Sequence, residues 1–222
     1  NGKQINMTFD DKLLKDFNNL CQSQGATLFM GLLAVTKTLL FRYTSQADIV
    51  IGSPIAGRDH SDLQNQIGFY VNTLALRTQF DTKNTFTELL AIVKEVTFGA
   101  YKHQSYPFDE LVTQLALKRD LSRNPLFDVM VTYQNAVNLK NEVQVVDNIE
   151  IIKFKSDEEA LSKFDMDFVF FETDNGIELM LTYNIDLYSE NFIERFLNHL
   201  RILFGEIVLN PKKSISSYEF LL

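Results

Sequence analysis

The chain has 222 residues, 45% of them apolar and 23% charged, which fits one large globular domain or two small ones and excludes disordered or collagen-like architecture. Twenty-one Lys and Arg stand against 29 Asp and Glu, a net charge of −8 with no basic run, so nucleic acid and an anionic membrane surface are excluded as expected partners. The single cysteine, Cys21, cannot form an internal disulfide, and the apolar run Leu28 to Val35 is far short of the ~20 residues that cross a bilayer, so a cytoplasmic origin is expected.

The chain opens Asn1-Gly2-Lys3, without an initiator methionine or leader, and stops on the apolar segment Tyr218 to Leu222. Both ends read as cuts in something longer. Alternation over Gln4 to Phe9 predicts a strand, and the spacing of Leu13, Leu14, Phe17 and Leu20 predicts an amphipathic helix ending at Gly25. Thr27 caps a second helix to about Tyr43, apolar on nearly every side and therefore expected at the centre of the core. Asp48 to Ile55 and Phe69 to Thr78 read as strands. Thr85-Phe86-Thr87-Glu88 is a capping box, predicting a helix to about Lys102, and another starts near Pro107 with Asp109 and Glu110 at its positive end. Four further strands follow over Asp128 to Tyr133, Ile149 to Phe154, Phe164 to Phe171 and Ile177 to Tyr183, the last two joined by the hairpin turn Asp174-Asn175-Gly176. Ser189 caps a closing helix through about Leu209. No repeat or linker divides the chain. The expectation is one α/β domain, an α+β sandwich with a mixed sheet and helices mainly on one face, and with Asn135 to Asn148 as a long polar excursion.

Few residues declare chemistry. There is no glycine-rich phosphate loop, zinc-type Cys/His spacing, HExxH or G-x-S-x-G, so no metal site is expected. His60, His103 and His199 are far apart in sequence. His199 is expected on a helix flank, and His103 in a helix-end role rather than as a general base. Asp165 and Asp167 share one face of a strand, and a solvated sheet face accounts for them better than a paired-carboxylate site. Cys21 reads as a structural or surface thiol. Three loops stand out: Gly52 to Asp59, crowded with two glycines, a proline and an arginine; Ile67 to Arg77, with Asn72 inside an apolar strand; and Arg119 to Phe127, with two guanidiniums and Asn124 in a turn.

At these loops the sequence resembles the C-terminal half of the condensation domains of nonribosomal peptide synthetases, in the chloramphenicol-acetyltransferase-like superfamily. Ile67 to Arg77 resembles the family's strand motif, His103-Gln104-Ser105-Tyr106-Pro107-Phe108-Asp109 its HQDYPFE motif, and Arg119 to Phe127 its RDxSRNPLF motif. The resemblance implies one lobe of a V-shaped, two-lobed enzyme that joins a carrier-tethered acyl or peptidyl thioester to the amine of a carrier-tethered aminoacyl group. The family's active histidine lies in H-H-x-x-x-D-G on the N-terminal lobe, and this sequence lacks that motif. His60, without an adjacent histidine, does not take its role, and no catalytic residue is expected in this chain. The resemblance further implies Arg58, Asn72 and Asn124 as residues facing the cleft, and Arg77, His103, Pro107, Arg119, Asp120 and Arg123 as structural residues, with Arg119, Asp120 and Arg123 as an ion-pair network. Asn135 to Asn148 is expected as a latch crossing to the other lobe.

The implied partners are that N-terminal lobe, donor and acceptor peptidyl carrier proteins with their phosphopantetheine arms, and an adjacent adenylation domain, with no cofactor bound directly. Two alternatives stay open: a non-catalytic docking platform within a synthetase, and an epimerising relative.

Overall fold

The computed structural model describes residues 1–58, 60–116, 123–134, 161–173 and 176–220. Its elements run β1 (Gly2–Asp10), α1 (Asp11–Ser23), α2 (Leu28–Thr44), β2 (Asp48–Ile55), a short 3-10 turn (Ser61–Leu63), β3 (Asn72–Gln79), α3 (Phe86–Lys102), α4 (Phe108–Gln114), β4 (Val129–Gln134), β5 (Met166–Thr173), β6 (Gly176–Asn184) and α5 (Glu190–Leu209). Among the described residues, six strands form one sheet in the order β1-β6-β5-β4-β2-β3. It is mixed: β4 runs parallel to β2 and to β5, and the other pairings are antiparallel.

Period-two alternation decides which face meets the helices. Ile177, Leu179, Leu181 and Tyr183 of β6 are buried, and their register places Phe9, Met7 and Ile5 of β1 on one side and Phe170, Phe168 and Met166 of β5 on the other. Helices cover that face. Phe168 meets Phe196 of α5 at 6.2 Å, and Phe9 meets Phe204 at 4.6 Å, separations at which aromatic pairs add to plain area burial.

Helix α2 is the centre of this layer, touching α1, α3 and α5. Leu32, Val35 and Leu39 are 1%, 0% and 0% exposed, as its all-round apolar sequence requires. Its polar residues are satisfied inside: Thr36 and Thr38 donate to the carbonyls of Leu32 and Ala34 one turn back. Gly31 lets α1 approach, since a Cβ there would fall on Cys21 Sγ and the Phe17 ring. Cys21 is accordingly buried, and burial pushes its thiol up to about 12, which removes it as a nucleophile.

The predicted caps are present. Thr27, Thr85 and Ser189 each accept from the backbone N–H three residues on, while Pro107 sits at the N-cap of α4, one position before the first turn where the sequence placed it. Strand β3 begins at Asn72, not Phe69: Ile67 and Phe69 are apolar but point to solvent, and regular pairing with β2 starts only at Ile55↔Asn72. The hairpin register Thr173↔Gly176 leaves two residues for the β5–β6 turn; Asp174 and Asn175 themselves, the expected strand Ile149 to Phe154 and the excursion Asn135 to Asn148 lie outside the described residues.

Candidate functional site

Asn72, at the start of β3, joins the Ile67 to Arg77 segment to the motif-bearing loop between α3 and α4. Its side-chain amide donates to the carbonyls of Gln104 and Tyr106, both at 2.8 Å, and its carbonyl oxygen accepts from the backbone N–H of Phe108 at 3.2 Å and of Thr73 at 2.9 Å. A side-chain amide has two N–H donors and one carbonyl acceptor, so every hydrogen-bonding group of Asn72 is in use. The first strand residue is thereby fixed to the loop between α3 and α4.

The Phe108 ring continues the connection, lying 5.6 Å from Phe127, which in turn lies 5.7 Å from Phe164. Phe127 packs against Gly52 of β2, where any Cβ would strike its ring. A glycine here is required by close approach rather than by a turn. Asn124 donates to the carbonyl of Lys163 at 3.0 Å, and Arg123 pairs with Asp128 at 3.0 Å. The Asn124 bond ties the turn before β4 to the entrance of β5, and the Arg123 pair closes that turn against the first residue before β4. Arg119 and Asp120, the other members of the expected ion-pair network, lie outside the described residues.

Arg58 organises the remaining loop. Its guanidinium donates to the carbonyl of Leu63, lies 3.5 Å from that of Gly68, and stacks 4.5 Å above the Tyr70 ring. Gly57 beside it has φ +63, and a Cβ there would collide with the Tyr70 carbonyl. Between these loops is an open hollow of about 330 Å³, lined by Gly57, Phe69, Tyr70, Val71, Asn72, Gln104, Ser105 and Pro107. Ile67 is fully exposed, Phe69 91% and Val71 50%, an apolar rim on an otherwise acidic molecule. Of the expected cleft residues, Asn72 lines the hollow, Arg58 shapes its margin, and Asn124 belongs to the neighbouring turn.

The histidines are not gathered there. His60 accepts at Nδ1 from the backbone N–H of Asp62 at 3.3 Å and is exposed. His103 caps the C-terminus of α3, and its carbonyl accepts from Tyr106 N–H, so it serves the helix end as the sequence predicted. His199 lies on the flank of α5, 2.7 Å from the Tyr43 hydroxyl, and burial lowers its pKa. Arg77 is a surface residue bonded through two nitrogens to Asp48 at 2.9 and 2.6 Å, and this contact pulls the Asp48 carboxyl down to about 2.

One reading is corrected. Asp165 and Asp167 were expected on a solvated sheet face, but Asp165 precedes β5 and the Asp167 Oδ1 is shielded, with no hydrogen-bond partner among the described residues. Burial raises the pKa of both carboxyls. Val169 and Met130 are likewise only 8% exposed on that side of the sheet, so the face is shielded around Asp167, while toward β1 it stays exposed at Gln4, Asn6 and Thr8. Sequence reasoning also passed over Lys37, which is wholly buried and donates to the carbonyls of Ile49 and Leu76, each at 2.9 Å. Its position on a helix with apolar residues all round was the available signal.

Comparison with known proteins agrees with this picture. The family model described as Condensation domain matches residues 1–222. Gramicidin S synthase 2 of Brevibacillus brevis is 40% identical over 220 residues, 99% of this chain and 5% of that protein. Surfactin synthase subunit 1 of Bacillus subtilis (strain 168) is 38% identical over 221 residues, 99% of this chain and 6% of that protein. The chain therefore spans only a few per cent of the length of these relatives. Among solved structures, a holo four-domain nonribosomal peptide synthetase bound to AMP and glycine superposes with a TM-score of 0.89 at 23% identity, covering 100% of this chain and 18% of that one. The X-domain from teicoplanin biosynthesis does so with a TM-score of 0.87 at 24% identity, covering 100% of this chain and 50% of that one. These superpositions establish the fold, that of condensation domains.

Proposed function

The chain belongs to the condensation-domain family, and from that premise we propose that it is the C-terminal lobe of a two-lobed domain that forms amide bonds between carrier-tethered substrates. The reaction is attack of an aminoacyl amine on an acyl or peptidyl thioester: the C–N bond forms, the C–S bond breaks, and the amine loses a proton as the carrier thiol departs. Positioning two such arms contributes orders of magnitude in rate, and a wall built on fixed loops is what this chain offers. The observation that carries the reading is Asn72, whose fully used amide holds the motif-bearing loops in one place at the edge of the hollow.

In this reading the hollow and its apolar rim form one wall of the substrate tunnel, with Arg58 and Asn72 setting its shape and Asn124 steadying the adjoining turn. Arg77, His103, Pro107 and Arg123 are structural, as Arg119 and Asp120 are in the resemblance, and Asn135 to Asn148 is the latch. The N-terminal lobe supplies the H-H-x-x-x-D-G histidine and the opposite wall. Donor and acceptor peptidyl carrier proteins deliver phosphopantetheine arms, an adenylation domain adjoins the lobe, and the compartment is the cytoplasm. No helix among the described residues is by itself long and apolar enough to cross a membrane.

Mass spectrometry of carrier-bound products tests this. The 222-residue chain alone is expected to give no amide from loaded donor and acceptor carriers. Product is expected once the natural N-terminal lobe is restored in cis, and is expected to disappear when the second histidine of that lobe's motif becomes alanine. Turnover by the chain alone, abolished by His60→Ala or His103→Ala, would place the chemistry here instead. Restored lobes that bind carriers without forming product would favour a docking platform.

A further inference from the structure

A second cavity, of about 150 Å³, shares no lining residue with the hollow. It lies where the end of β2 and the middle of β3 meet the first turn of α2, the last turn of α3 and Tyr133 of β4. Its apolar walls include Phe29, Ile55 and Leu74, and the hydroxyl-bearing residues Ser53, Tyr101 and Tyr133 also line it.

Those hydroxyls are unevenly occupied. Tyr133 donates to Glu172 at 2.7 Å and so presents only lone pairs to the cavity. Ser53 is 4% exposed and Tyr101 half-buried, and neither hydroxyl has a hydrogen-bond partner among the described residues. Burial raises the Tyr101 phenol pKa, consistent with its position away from solvent. A guest group able to hydrogen-bond would engage hydroxyls that the described residues leave available. Size sets the rest of the guest: a cavity of roughly 150 Å³ accommodates a benzene-sized body.

We propose that this cavity is a side-chain subsite, which takes a benzene-sized side chain bearing one hydrogen-bonding group from the acyl or aminoacyl substrate. That a thioester substrate carries the side chain rests on the function proposed above. The site itself rests on the cavity, its apolar walls and its two hydroxyls that have no partner among the described residues. Its lining residue Ile55 is separated only by Ala56 from Gly57 of the hollow, which sets the two spaces next to each other along the chain.

The test uses the chain as it stands, labelled with 3-fluorotyrosine. Its eight tyrosines give eight fluorine resonances, each assigned by a Tyr→Phe substitution, and the probes are p-cresol and toluene. Saturable p-cresol shifts are expected at Tyr101 and Tyr133 but not at Tyr70 or Tyr106 beside the hollow. Toluene should bind about three- to tenfold more weakly, the difference one hydrogen bond makes. Tyr101→Phe, followed at Tyr133, should bring p-cresol close to toluene. Ile55→Trp, at the half-buried rim, should abolish saturation, with unchanged core resonances of Tyr183 and Tyr218 confirming the fold. Absence of saturable shifts at Tyr101 and Tyr133, or shifts indifferent to Ile55→Trp, would overturn the subsite. Equal affinity for the two probes would overturn its polar half. Binding of free probes does not depend on amide formation, so the failure of this proposal and the failure of the functional one are separately visible.

Discussion

At the scale of single residues, Lys37 presents the sharpest balance of forces. Two backbone carbonyls accept from its amine at 2.9 Å, inside a core that leaves the residue no exposed surface. A neutral amine has two N–H bonds and an ammonium three, so two acceptors match the neutral form. Burial accordingly lowers its pKa to about 7, against the opposing attraction of Asp48. The consequence for stability has a definite sign. Between about pH 7 and the unfolded value of 10.5, the unfolded chain holds a proton at this lysine that the folded chain lacks. Stability therefore rises with pH through that window, by on the order of 1 kcal/mol per unit, and is lost again as pH falls toward 7. Denaturant unfolding at pH 7.5, 8.5 and 9.5 should show this rise in the natural chain and a flatter profile in Lys37→Met. Parallel profiles would mean that the lysine is charged in the fold.

At the scale of elements, Asn72 decides whether β3 and the α3–α4 loop act as one unit. Asn72→Ala leaves the Phe108 N–H and the carbonyls of Gln104 and Tyr106 without this partner, at an expected cost of about 2–3 kcal/mol in unfolding free energy. Asn72→Asp keeps the acceptor but sets a carboxylate against two carbonyls, so it should be more damaging at pH 7 than at pH 4, relative to the natural chain. A loss of similar size in both variants at both pH values would mean that only volume matters here. The elements themselves were largely legible in the sequence, because periodicity and caps are local: Thr27, Thr85 and Ser189 mark helix starts wherever the helices pack. The start of β3 was not. Phe69 and Val71 alternate as a strand would, yet their segment is held out by Arg58 and Gly57, contacts that come from a different part of the chain. Lys37 was passed over and Asp167 misread for a related reason. A charged residue announces exposure, and only the packing of neighbouring elements shows that these two are covered.

At the scale of the whole molecule, the sequence pointed to the loops of the proposed site but not to how they meet. Gly52, Asn72, Phe108 and Phe127 are distant in sequence, and their convergence depends on sheet order and on ring-to-backbone contacts that no spacing rule encodes. What the convergence leaves uncovered has a physical outcome. Ile67 and Phe69 are almost wholly exposed beside the half-exposed Val71, and covering a large apolar side chain is worth roughly 1.5–3 kcal/mol. Under the proposed function the N-terminal lobe covers this rim, so the isolated chain carries a sticky patch that the restored domain does not. Two copies meeting there would gain a few kcal/mol beyond the cost of association, giving weak dimers in about the 10 μM to 1 mM range. Sedimentation over that range should show reversible self-association of the isolated chain. The double substitution Ile67→Ser, Phe69→Ser should remove it with little change in thermal stability, since neither side chain belongs to the core. Fusion to the N-terminal lobe should remove it as well, without any substitution. Self-association that persists in the double variant would move the sticky surface elsewhere, and with it the expected seat of the missing lobe.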